Sequence, residues 1–320
     1  MEKFKLENAQ VLVEFLSFGG ILTKMINKKT GQNYVLAYEK DTDYLSNPYF
    51  FGATIGRNAG RTFPSFYRDY SGKKIMLDTN EGRVHLHGGK NGFHQVEWQV
   101  EISDQTSCKL SYFDSHSLYD PMNIELIYSL EKNRFSIKAK GTSLVPTVCN
   151  VTNHSYFNLN EQLTIKDHHL QMAAAEIQLI DEQFIPTMKY SAMHEPIYAP
   201  FRFEQEKPIG QALELQTELS KIYADGIDLA YRFTENDTTK PRIVLTDPQE
   251  KNKLTVYSDQ EACVVYTLNK ISDKVKTDRG YQVEKFGGIT FEMQRTPNYV
   301  QTEEDILATD YSAVTIYEIG

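Results

Sequence analysis

Short runs of two-residue alternation, cut every few positions by turn-forming residues, restrict this chain more than any other feature. Val11-Leu12-Val13-Glu14-Phe15 opens a strand that stops at Gly19-Gly20. Residues 100–113 predict two strands broken at Asp104-Gln105, and residues 124–130 and 135–139 flank a turn at Glu131-Lys132-Asn133. Residues 243–246 and 254–257 flank another hairpin signal, Asp247-Pro248 with the four residues after it. Alternation places successive side chains on opposite faces, and strands this short and frequent favour an all-β antiparallel sandwich or barrel with few helices. One segment departs from the pattern: Ala212, Leu215, Leu219 and Ile222 recur at three- and four-residue spacing, which predicts a short helix over 211–223. Glycine-rich nucleotide loops, internal repeats and linker-like tracts are absent from the sequence, so residues 1–320 are expected to form one domain.

Composition excludes several classes of function. The formal charge of −9 disfavours a nucleic-acid partner, which would draw on clustered Lys and Arg. No apolar run approaches the roughly 18 residues of a membrane span, and the start of the chain lacks the apolar core of a signal peptide. Cys108, Cys149 and Cys263 are odd in number and widely spaced, as expected of free thiols in a reducing compartment. The expectation is a cytoplasmic protein, monomeric or homodimeric.

Five stretches carry chemistry. Asn153-His154-Ser155-Tyr156-Phe157-Asn158-Leu159 sets a histidine among hydrogen-bonding and aromatic side chains. Imidazole can give or take a proton near neutral pH. His85-Leu86-His87-Gly88-Gly89 puts two histidines at i and i+2, one face of a strand, but supplies no third metal ligand at a familiar offset. His87, beside the glycines, is the better ligand contact, and no metal is expected. Residues 51–61 carry three glycines with Arg57 and Arg61; a guanidinium there is either solvated or forked onto hydroxyls or a carboxylate. Asp228 sits in an apolar setting where a carboxylate needs a partner. Glu292 and Gln294 alternate with Phe291 and Met293, and taken alone they suit a solvated outer face. A Ser-His-Asp triad lacks its G-x-S-x-G elbow, and a glycosidase pair of Asp228 and Glu292 would leave His154 idle.

In order, these stretches resemble those of the aldose 1-epimerases, the galactose mutarotase family. The matching segments are Gly60-Arg61, His87-Gly88-Gly89, residues 153–159, Gly226-Ile227-Asp228, and Glu292-Met293-Gln294 with Pro297. The resemblance implies a large antiparallel β-sandwich of the galactose mutarotase type with a cleft for a monosaccharide. It implies His154 as general acid, Glu292 as general base, and Arg61, His87, Tyr156 and Asp228 as substrate-binding residues, with no cofactor. In this scheme Glu292 is ionised at neutral pH, carboxylates raise His154, and acid and base stand on opposite sides of the sugar. Three positions depart from the family pattern: Gly60 replaces an Asn, Leu229 stands where a His often follows the aspartate, and Val264 falls where some members place a Gln. The implied activity is anomer interconversion of a free hexose. A hexose-phosphate epimerase drawing on Arg57, Arg61 and Arg83, and a carbohydrate-binding protein without turnover, are the alternatives.

Overall fold

The computed structural model describes residues 1–191, 195–271 and 274–320. Two antiparallel sheets dominate. The larger runs, in spatial order, through Lys207–Pro208, His169–Met172, Ile243–Thr246, Lys253–Ser258, Ala308–Ile319, Arg134–Thr147, Met122–Glu131, Ser107–Asp114 and Gln99–Ile102. The smaller runs through Tyr156–Phe157, Ile289–Gln294, Ala262–Tyr266, Asp228–Phe233, Ala175–Ile180 and Pro186–Tyr190. The hairpins expected around residues 131–133 and 247–252 are both present.

Period-two alternation in the smaller sheet sends Phe291, Met293, Val265, Cys263, Leu229 and Tyr231 into the core. There Phe157 stacks on Phe291 at 5.8 Å and meets Tyr317 of the larger sheet at 5.5 Å, which closes the sandwich. Burying each such ring contributes about 1.5–3 kcal/mol. In Ile289–Gln294 the intervening residues, Glu292 and Gln294 among them, are buried too. Loops cover that face, so the solvated-surface expectation for Glu292 and Gln294 does not hold.

The helix expected over 211–223 is broken in two. A 3-10 turn spans Ile209–Ala212 and the α-helix is confined to Glu218–Ile222, where the Thr217 hydroxyl caps the Ser220 N–H at 3.1 Å. Glu214 between them has φ of +53°, which no helix accommodates. The apolar spacing survives because Leu215, Leu219 and Ile222 pack individually against the core. Among the described residues no helix is long and apolar enough to cross a membrane.

Candidate active site

The polar residues of 153–159 divide into straps and reagents. Asn153 accepts from the Ser155 N–H at 3.0 Å and hydroxyl at 2.6 Å, and donates to the Gly52 carbonyl at 3.0 Å. Asn158 donates to the carbonyls of Gln162 and Gly287. These bonds fix the backbone between the Thr152–His154 and Tyr156–Phe157 strands and leave His154 and Tyr156 on the wall of a cleft of about 380 Å³. Tyr156 lies 5.1 Å from the His154 ring, edge to face.

Strand register sets the rest of the cleft floor. Tyr156 pairs with Thr290, so His154, two residues earlier, stands opposite Glu292. Their Nε2 and Oε1 atoms are 3.4 Å apart. The two groups are side by side on one wall, not on opposite sides of a ligand. Thr290 donates to the same Glu292 oxygen at 3.2 Å, while Glu292 Oε2 finds no partner among the described residues.

Burial, not charge pairing, governs both groups. It pushes the Glu292 carboxyl up to about 8, with Asp228 adding to the effect, and pushes His154 down to about 3. The phenyl ring of Phe50 covers the imidazoles, 5.6 Å from His154, 5.0 Å from His87 and 4.9 Å from His94. Both shifts run against the expected ionised Glu292 and raised His154: burial favours a neutral imidazole and a protonated carboxyl.

Arg61 enters from the cleft edge, clamped by Glu81 at 2.6 and 3.1 Å and by Asp228 at 3.4 Å. Burial disfavours the charged guanidinium, but Asp228 and Glu81 outweigh it and hold Arg61 above its ordinary value. Glu81 escaped the sequence reading because a lone acid in a turn gives no spacing signal. Gln178 and Lys270 also line the cleft, equally unannounced.

His85 and His87 do not share a face. The strand ends at His85–Leu86, and His87 turns with φ of +55°. Gly88 follows at φ of +82°, where an added Cβ would overlap the Gly56 carbonyl, so only glycine fits. His85 is buried between Asp78 and the Tyr119 hydroxyl, whereas His87 lines the cleft. Arg57 is neither solvated nor a ligand fork: it is 0% exposed and bonds Asp114 at 2.7 Å, the Val148 carbonyl at 2.9 Å and the Asp120 carbonyl at 2.8 Å. All three departures noted above border the cleft, Gly60 and Val264 on its lining and Leu229 with its side chain also packed in the core.

His87, His154 and Glu292 bring ligand atoms within 4.8 Å of one another, a set that a transition metal could use. The hydrogen bonding fits a different use. His87 Nδ1 accepts the Gly60 N–H at 3.3 Å, which leaves the proton on Nε2 as a donor. Metal-bound imidazoles instead donate from their second nitrogen to an acceptor.

A family model described as aldose 1-epimerase matches residues 2–307. The chain is 28% identical over 310 residues to a galactose mutarotase of Mus musculus, covering 94% of this chain and 87% of that protein. It is 30% identical over 272 residues to an aldose 1-epimerase of Escherichia coli strain K12, covering 82% and 77%. The solved galactose 1-epimerase of Lactobacillus acidophilus superposes with a TM-score of 0.85 at 26% identity, covering 99% and 94%. With this match across nearly its whole length, the chain belongs to the aldose 1-epimerase family, isomerases of the mutarotase type, and has their β-sandwich fold.

Proposed function

We propose that this enzyme interconverts the α and β anomers of a free hexose such as galactose or glucose, with His154 as general acid and Glu292 as general base. The observation that carries the reading is the buried side-by-side contact of the two groups at 3.4 Å on the cleft floor. An anomeric carbon bears its hydroxyl and the ring oxygen as neighbours, so adjoining reagents on one wall reach both. Glu292 takes the proton of the C1 hydroxyl, His154 delivers one to the ring oxygen, and the bond from C1 to that oxygen breaks. Rotation about C1–C2 and closure on the other face return both protons.

The pair carries one proton in this cycle, and burial leaves it on Glu292 at rest. A C1 hydroxyl donating to Glu292, with the Arg61 charge nearby, favours the carboxylate and moves that proton to His154 across their contact. Arg61 and Asp228 hold hydroxyls on one flank, the His87 Nε2–H donates to another, and Tyr156 packs at the anomeric end. Residues 1–320 act as one cytoplasmic domain in this scheme. The arginines do not favour a phosphorylated hexose: Arg57 is buried against Asp114, Arg83 covers the Phe63 ring, and Arg61 is already matched by two carboxylates, which leaves Lys270 to meet a phosphate on the cleft lining. Polarimetry of freshly dissolved α-glucose and α-galactose is the direct test. Relaxation no faster with enzyme than in buffer, for these sugars and their phosphates, would reject the catalytic assignment.

A further inference from the structure

We propose that Gln178 determines which hexose the cleft accepts, by taking a hydrogen bond from the hydroxyl on C3 or C4, the ring edge opposite the anomeric carbon. The proposal rests on the placement of the anomeric centre at His154 and Glu292. Antiparallel register sets Glu292 opposite Val264, Val264 opposite Ala230, and Ala230 opposite Gln178. His154 continues the same row on the far side of Glu292. Past the acid–base pair the floor is thus two small apolar side chains and then an amide. The backbones of Glu292 and Gln178 are three strand spacings apart, about 14 Å, a span that two inward-reaching side chains and a hexose ring fill.

The amide leaves one polar atom unpaired. Gln178 is 2% exposed and lines the cleft. Its Nε2 donates to the Thr187 carbonyl at 3.1 Å and the Pro297 carbonyl at 3.0 Å, using both N–H groups. A flipped amide would set its oxygen against those two carbonyl oxygens, so the orientation is fixed by chemistry. Oε1 then finds no partner among the described residues, as does Glu292 Oε2 on the same floor. A buried acceptor without a donor is costly, and a sugar O–H supplies that donor. An ether or a phosphate ester at this position offers only acceptors and is turned away. Val264 and Ala230 have no side-chain polar atoms, so Gln178 is the next group in the row able to read a hydroxyl.

The test compares kcat/KM for glucose, 3-deoxyglucose and 4-deoxyglucose with the wild type, Gln178→Leu and Gln178→Met. The wild type should prefer glucose over one deoxy sugar by roughly tenfold or more, the cost of leaving the acceptor unpaired. In both variants that ratio should fall towards one. Equal slowing of all three sugars would mean that Gln178 only ties Thr187 to Pro297, and would overturn the proposal. So would a wild-type enzyme indifferent to both deoxy sugars, a result that needs no variant to fold. If the wild type accelerates no sugar, the mutarotase reading fails separately. Calorimetric binding of the same sugars then decides: a lost glucose-to-deoxy preference in the variants supports Gln178, and an unchanged preference or no binding at all refutes it.

Discussion

Replacing Glu292 with Gln should separate what this carboxyl does for the reaction from what it does to the fold. The side chain is 2% exposed, and burial raises it from an ordinary 4.5 to about 8. Between those values the unfolded chain has released this proton and the folded chain still holds it. The unfolded state therefore binds fewer protons, and stability falls as pH rises through the window. At about 1.36 kcal/mol per pH unit, the loss approaches about 5 kcal/mol by pH 8 and is flat above it. Gln keeps the shape and has no proton to release, so the variant lacks this slope. Denaturant unfolding from pH 4.5 to 8.5 should show the variant gaining on the wild type by several kcal/mol. Mutarotation at neutral pH should meanwhile fall on the order of 10²–10⁴-fold. A stability difference that stays constant across the window would refute the argument, because Glu292 would then titrate alike in folded and unfolded chains.

The single shared proton predicts that kcat/KM falls above about pH 8, roughly tenfold per pH unit, as Glu292 loses it; a rate that climbs through pH 8 would make the carboxylate alone the active form. Asp114→Ala should cost about 3–5 kcal/mol in thermal or denaturant unfolding, since it strands the Arg57 guanidinium in the interior. Gly88→Ala should destabilise by more than the about 1–3 kcal/mol of left-handed backbone strain, because its Cβ also meets the Gly56 carbonyl, and should misplace His87, read as a lower melting temperature with a raised KM. Prolonged dialysis against a chelator should leave the rate unchanged, and a loss restored by zinc would return His87, His154 and Glu292 as a ligand set.

Much of this architecture is legible in the sequence, because strand alternation and turn chemistry are local. The 153–159 motif likewise announces a histidine held in place, and Asn153 and Asn158 are the straps that hold it. The misses share a cause: each depends on what packs against the residue from elsewhere. Alternation at Glu292 and Gln294 cannot say that loops cover their face. The burial that disfavours a charged His154, under Phe50 and its neighbours, is encoded by no sequence spacing. His87 leaves the face of His85 through one left-handed residue, and Glu214 ends the expected helix in the same way. Gln178 and Glu81 belong to no motif, and only the assembled cleft gives them partners.

Core and cleft are two faces of the same four inner strands of the smaller sheet. In Ile289–Gln294, Phe291 and Met293 face the sandwich interior while Glu292 faces the cleft. Adding or removing one residue there would exchange the two sets, sending a carboxyl into the core and a phenyl ring onto the sugar. Point replacement carries no such penalty at 264, 230 or 178, where a side chain can change without moving its neighbours along the strand. New sugar preferences on this scaffold should therefore arise by exchange of cleft-facing side chains at constant strand length, with insertions and deletions confined to the loops at the rim.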